Sequence, residues 1–317
     1  MPDSEKTLIR RIRRLAAAGP AVVTGIGDDA AVLRIPAGHE MLVTTDFTLE
    51  NIHFRREWHP PEVVGWRCLT RGLSDIAAMG GEPHAAFLSL ALGSDLPQNW
   101  IDKFLSGLLA LAKKHAVPLA GGDTAQSPGG IQADIVVVGS VPKGKAVLRS
   151  GAKPGHNIYV TGSLGGSAAA LARLRKGLPL GAEKRPHFHP EPRVKVGQWL
   201  RRKRIPSAMI DISDGLSTDL EHLCTESHVG AEIELAAIPR ARAGRGKTLV
   251  DLDCALHGGD DYELLFTSSR PVPSRVEGVP VTRIGRTTTS RGMRLIAAEG
   301  RKSRLQVRGW EHFRGDS

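Results

Sequence analysis

Residues 208–220 read Ala208-Met209-Ile210-Asp211-Ile212-Ser213-Asp214-Gly215-Leu216-Ser217-Thr218-Asp219-Leu220. The apolar opening predicts a buried strand that ends in Asp211-Ile212-Ser213-Asp214-Gly215. Leu216, Leu220 and Leu223 then recur on one helical face, so a helix follows. Capping that helix accounts for Ser213 or for Asp214. It does not account for both together with Asp211. The same pattern, a short apolar run and then Asp beside Gly, Ser or Thr, returns at Asp28/Asp29, Asp46, Asp123 and Asp260/Asp261. Strands and helices that alternate through acidic loops predict an α/β fold of the mixed-sheet, α+β type.

Working outward, His257-Gly258-Gly259-Asp260-Asp261-Tyr262-Glu263-Leu264-Leu265-Phe266 ends a loop and begins a strand. Short strands are expected around 281–284 and 293–297, and the chain closes through Gly309-Trp310-Glu311-His312-Phe313. Upstream, a strand over 157–161, the loop Thr161-Gly162-Ser163-Leu164-Gly165-Gly166-Ser167 and a helix over 167–176 form an anion-cradling order. The loop lacks Gly-Lys-Ser/Thr and is not a Walker A loop. Residues 181–192, rich in Pro and His, read as a loop, with His187 and His189 two apart.

In the first half, a helix is expected over 4–18, with Ser4 as N-cap and Leu8, Ile12 and Leu15 on one face. Gly25-Ile26-Gly27-Asp28-Asp29 is a glycine turn carrying paired carboxylates, and an apolar run follows it. Residues 41–46 read as a strand delivering Thr44, Thr45 and Asp46, three oxygen donors of the kind magnesium prefers. His53 and His59 lie in a polar-aromatic loop over 50–60, and His53 is within reach of a ligand held at Asp46. A helix over 61–79 carries Asp75 on its last turns, where a carboxylate opposes the helix dipole unless a cation is bound. A strand over 84–92, a helix over 97–115, a strand over 117–124 ending in a glycine turn that presents Asp123 and Thr124, and a strand over 131–141 complete this half. Pro142, Gly144, Gly151, Pro154 and Gly155 punctuate the next segment, so the domains are expected to be 1–148 and 149–317.

The 317 residues suffice for two cores. No apolar run approaches the roughly 18 residues of a membrane span, and Met1–Arg14 is charged rather than signal-like. A soluble cytoplasmic protein is expected. Three distant cysteines, Cys68, Cys224 and Cys254, argue against a disulfide framework or a thiolate zinc site. The net charge of +10 lies in clusters such as Arg201/Arg202/Lys203/Arg204. Aromatics make up 4% of the chain and do not interleave with these clusters, so solvated helix faces explain them better than nucleic-acid binding.

Asp29, Asp46, Asp75, Asp123, Asp211 and Asp214 cannot share a cleft without counter-charge, because desolvated like charges repel. Carboxylate and hydroxyl donors without a His/Cys cluster select magnesium or manganese over zinc. Several such ions point to a nucleoside triphosphate. Protein-kinase and P-loop signatures are absent, and no dedicated general base stands out. A phosphate acceptor needs none, since its oxygens are already ionised.

Together, Gly27-Asp28-Asp29, Thr44-Thr45-Asp46, Ser74-Asp75-Ile76-Ala77-Ala78-Met79-Gly80, Gly121-Gly122-Asp123-Thr124, Arg149-Ser150-Gly151-Ala152-Lys153-Pro154-Gly155, Asp211-Ile212-Ser213-Asp214-Gly215 and Gly258-Gly259-Asp260-Asp261-Tyr262-Glu263-Leu264 resemble the thiamine-monophosphate kinase family. That family belongs to the aminoimidazole-ribonucleotide-synthetase-like superfamily. The resemblance implies magnesium-assisted, in-line transfer from ATP to thiamine monophosphate, giving thiamine diphosphate, by a homodimer that pairs through N-terminal sheets. It implies that Asp29, Thr44, Thr45, Asp46, Asp75, Asp123, Asp211 and Asp214 hold metal. It further implies that Gly122, Arg149 and Ser213 touch ATP and that His53 and Asp260 touch the thiamine phosphate, with a C-terminal aromatic beside its rings. Two departures stand out. The usual Gly-Gly-Glu-Asp-Tyr-Glu-Leu has Asp260 in place of Glu, and Val307 aligns where the aromatic is expected, leaving Trp310 as the substitute. The alternatives are another ATP-using enzyme of the superfamily, such as a purine-pathway synthetase, or a non-catalytic nucleotide or nucleic-acid binder.

Overall fold

The computed structural model describes residues 5–16 and 18–313; Ser4, the expected N-cap, lies outside them. The chain forms two compact units, Met1–Ile76 with Gly81–Lys145, and Ala77–Gly80 with Ala146–Ser317.

The first unit opens with α1 (Glu5–Leu15) and a small ribbon of β1 (Val22–Thr24) and β2 (Val32–Leu33). Leu8 and Ile12 of α1 are buried, whereas Leu15 in its last turn is exposed. Then follow β3 (His39–Leu49), α2 (Pro61–Ala78), β4 (Glu82–Leu92), α3 (Gln98–Lys114), β5 (Leu119–Gln126) and β6 (Gln132–Pro142). Four strands form a mixed sheet in the order β3-β6-β4-β5, with β4 and β5 parallel and the other pairs antiparallel. Helices α2 and α3 bury the apolar rows that the periodicity of three and four predicts, including Leu69, Leu73 and Ile76, and Ile101, Leu105 and Leu108. The opposite face of β3 is open. Met41, Val43 and Phe47 alternate along it with 57–60% of their surface exposed.

The expected glycine turn at Asp123 is instead the middle of β5. Register with β4 slips between Ala86 and Phe87, which pair with Leu119 and Gly121. Ala120 is therefore the extra residue of a bulge. Gly122 has φ +145°, and a Cβ there would meet the backbone of Leu88. The paired glycines serve a bulged strand, not a chain reversal.

The second unit contains β7 (Asn157–Thr161), α4 (Gly166–Arg175), α5 (Lys184–Phe188), α6 (Val194–Arg202), β8 (Ala208–Ile212), α7 (Leu216–Glu226) and β9 (Gly230–Glu234). It continues with β10 (Arg242–Ala243), β11 (Thr248–Leu249), α8 (Leu252–His257), β12 (Glu263–Ser268), β13 (Arg275–Val276), β14 (Val279–Thr288), β15 (Met293–Ile296) and β16 (Lys302–Arg304). The main sheet runs β16-β15-β9-β14-β7-β12-β8, with β13 on β14. Only β9 and β15 pair in parallel within it. Helix α5 lies inside the segment expected to be a loop. Its proline, Pro186, sits in the first turn, where a missing N–H costs nothing.

One topological fact positions the functional loops. Strand β12 lies between β7 and β8 and is antiparallel to both. The ends of β7 and β8 therefore lie beside the start of β12, at one end of the strands. The loops 162–165, 213–215 and 258–262 converge there. Among the described residues, no helix is long and apolar enough to cross a membrane.

Candidate functional site

The loop after β8 is a hub. The Asp260 N–H donates to the Ser213 carbonyl at 2.7 Å and the Tyr262 N–H to the Ile212 carbonyl at 2.8 Å. The Trp310 N–H donates to the Asp214 carbonyl at 3.0 Å. Gly309 makes that last approach possible, since a Cβ there would collide with Thr218 and the Asp214 carbonyl. Asp211, Ser213, Asp214, Asp260 and Trp310 are thus brought together within the second unit. Asp211 is buried, and Asp214 and Asp260 are half-buried. Trp310 keeps an exposed ring, whereas Val307 packs against the core. Arg149 is exposed, and its carbonyl accepts from Ser227 Oγ at 2.9 Å. Glu263 of the same motif turns into the sheet. It pairs with Arg193 Nε and accepts from Thr161 Oγ1, both at 2.6 Å.

Neither Ser213 nor Asp214 caps α7; Gly215 is the cap residue and makes no side-chain bond. Asp219, inside the helix, does that work. Its Oδ2 accepts from the N–H groups of Ser213, Asp214 and Gly215, each at 3.1 Å. The glycine loop before α4 is filled in the same way: Asp261 Oδ2 accepts from the Gly165 N–H at 2.7 Å. The anion cradles of this unit therefore hold the chain's own carboxylates. Burial pushes both carboxyls well above the ordinary range. Asp211 and then Asp214 add to the rise at Asp219, and Glu263 adds to it at Asp261. Asp219 and Tyr262 escaped the sequence reading. The signal for Asp219 was a second carboxylate one turn into a helix whose preceding loop was already acidic.

In the first unit the pleat divides the predicted donors. Successive strand residues face opposite ways, so Thr44, Thr45 and Asp46 are not one side-by-side set. Thr44 Oγ1 donates to Asp75 Oδ2 on α2, and Asp46 Oδ1 lies 3.6 Å from Arg71 Nη1 on the same helix. Thr45 lies on the open face, where its Oγ1 donates to Asp134 Oδ1 at 2.6 Å. The register Asp134↔Ser89↔Asp123 puts Asp123 on that face as well. Asp29 is exposed in the β1–β2 loop, where its N–H donates to Asp28 Oδ1 at 3.0 Å.

His53 Nδ1 accepts from the Leu49 N–H at 2.9 Å, which fixes Nε2 as the protonated nitrogen. His59 is buried, and its Nδ1 sits against the Arg55 backbone. His187 is buried against Ser167 Oγ at 2.8 Å, and His189 is exposed. All three cysteines are unpaired, and burial pushes the Cys68 and Cys224 thiols up to about 12, outside any nucleophilic role at neutral pH.

These oxygens fit a hard divalent cation. Repulsion among Asp211, Asp214 and Asp219 is what such an ion relieves. Among the described residues, no three His, Cys, Asp or Glu side chains form a group able to hold a metal alone.

The AIR synthase related protein N-terminal domain matches residues 27–141, and the corresponding C-terminal domain matches residues 153–298. A thiamine-monophosphate kinase of Escherichia coli O157:H7 is 36% identical over 99% of both chains. The crystal structure of thiamine-monophosphate kinase from Stenotrophomonas maltophilia K279a superposes with a TM-score of 0.82 at 35% identity, covering 93% of this chain and 97% of that one. The solved structure of AaThiL complexed with AMPPCP and TMP gives 0.77 at 30% identity, over 98% and 97%.

Proposed function

The chain belongs to the AIR synthase related family and, within it, to the thiamine-monophosphate kinases, and from that premise we propose how its residues divide the work of phosphoryl transfer. The enzyme phosphorylates thiamine monophosphate at the expense of ATP. In our reading, Asp29, Thr44, Thr45, Asp46, Asp75, Asp123, Asp211 and Asp214 hold several magnesium ions. Gly122, Arg149 and Ser213 contact ATP. His53, Asp260 and Trp310 contact thiamine monophosphate. Bound magnesium supplies charge neutralisation for the two anionic reactants and for the transferring group.

The observation that carries this reading is the self-filled cradle. The amides of residues 213–215 are spent on Asp219, and that of Gly165 on Asp261. These amides are therefore not open to a phosphate, which leaves cations at the carboxylates and side-chain donors to hold it. A His53 Nε2–H donor suits a phosphate oxygen, and the exposed Trp310 ring suits a flat heterocycle. No group is assigned as general base, because the acceptor oxygen is already ionised. Transfer is direct and in line, giving thiamine diphosphate in the last step of its synthesis.

We also place the enzyme in the cytoplasm, where unpaired cysteines persist, and pair two copies through the open β3 face. Incubation with ATP, magnesium and thiamine monophosphate should yield thiamine diphosphate and ADP in equal amounts, and EDTA should stop it. A chiral γ-phosphate should invert its configuration. Retention would point to a phosphoenzyme and sink direct transfer.

A further inference from the structure

Tyr262 is buried, with 1% of its surface exposed, and its hydroxyl donates to Asp260 Oδ1 at 2.7 Å. Both residues have left-handed backbones, φ +62° at Asp260 and +52° at Tyr262. A bulky side chain seldom adopts that conformation, and it persists where the surroundings over-determine it. Here two backbone bonds to the β8 loop do so, from the Asp260 N–H to Ser213 and from the Tyr262 N–H to Ile212. The strained turn sends the Tyr262 ring inward and leaves Asp260 half-buried beside Asp214 and Trp310. Packing alone would be met by phenylalanine. What the hydroxyl adds is a fixed direction for the Asp260 carboxylate plane.

We propose that Tyr262 is a positioning residue that aims Asp260 at the organic part of the phosphate acceptor. This rests on the reading that Asp260 touches that substrate. A held carboxylate accepts from an amine and pairs with a cation, chemistry that an aminopyrimidine and a thiazolium ring both supply. It also bears on the shorter side chain. An aspartate has one torsion fewer than a glutamate, and the tyrosine fixes its orientation.

The test is Tyr262→Phe, which deletes one oxygen and keeps the ring. KM for thiamine monophosphate should rise about tenfold, as for loss of one hydrogen bond to a charged group. KM for ATP and kcat should stay within about twofold. Titration calorimetry with thiamine monophosphate alone should show the same factor in Kd. In an Asp260→Ala background, Tyr262→Phe should add nothing further, because the two act as one unit. An unchanged KM for thiamine monophosphate, an equal rise in KM for ATP, or a full additional effect in the double variant overturns the positioning role while leaving the kinase assignment standing. A parent enzyme that forms no thiamine diphosphate overturns the assignment itself, and the proposal with it.

Discussion

At the scale of single residues, a carboxylate that binds a cation differs from one that merely folds in what its amide analogue does. Asp46 and Asp214 are half-buried, so replacing one oxygen by an amide nitrogen leaves the packing in place. Asp46→Asn and Asp214→Asn should each lower kcat by at least about a hundredfold. Thermal midpoints should stay near the parent's. Full turnover in either would remove that residue from the metal set. Asp219 should behave oppositely. Its carboxylate satisfies three backbone N–H groups of one loop. Asp219→Ala strands those donors and should cost about 3 kcal/mol or more of stability, read by urea denaturation. A loss confined to kcat at unchanged stability would make Asp219 a metal ligand instead of the loop's anchor.

At the scale of elements, the start of α4 offers a test by pH. Asp261 is buried and accepts from the Gly165 N–H at that helix start. Burial raises its carboxyl, outweighing the lowering by that N–H. The folded state thus favours the protonated form. Its contribution to stability is full below the ordinary value of 3.8 and is lost as pH rises toward the raised folded value. Asp261→Asn keeps an acceptor but cannot ionise. Its stability relative to the parent should therefore improve as pH rises above about 4 in paired denaturation curves. Parallel curves would show that Asp261 does not titrate in this window. The same elements show what could be read from the chain alone. Helices α2 and α3 were legible because their apolar residues recur every three or four positions over long runs. The β8 loop was legible because three polar groups exceed what one cap needs. Helix α6 was not anticipated, since Gly197 and a run of basic residues dilute its apolar face. The Asp123 turn was misread because paired glycines signal a bulge as readily as a reversal. The split of Thr44 and Asp46 from Thr45 was knowable from the two-residue strand period. Tyr262 was invisible, since a left-handed tyrosine leaves no trace in composition.

At the scale of the whole molecule, the donor set is divided: Asp29 through Asp123 lie in the first unit and Arg149 through Trp310 in the second. Each unit has its own mixed sheet, and the edge strand of the first carries exposed apolar side chains. Strand β3 is an eleven-residue edge strand, and Met41, Val43 and Phe47 stand exposed on its open side. A long apolar edge of this kind invites pairing unless it is covered. Half-buried Val136 of β6 lies across from Thr45, and half-buried Phe87 of β4 lies across from Val136, so apolar surface continues as a strip from β3 over two further strands. The proposed pairing of two copies through this face would be isologous, which needs only a self-complementary patch. Burying about 1,600 Å² in total would make such a dimer stable. Phe47→Glu places a charge at the centre of that strip and faces it with its own symmetry mate. Sedimentation equilibrium should therefore find the parent as a dimer and Phe47→Glu as a folded monomer at micromolar concentration. Thr45 and Asp123 share this face, so the monomer should also lose thiamine diphosphate formation along with its partner. A parent that sediments as a monomer, or a Phe47→Glu variant that remains dimeric, would assign the strip to some other occupant.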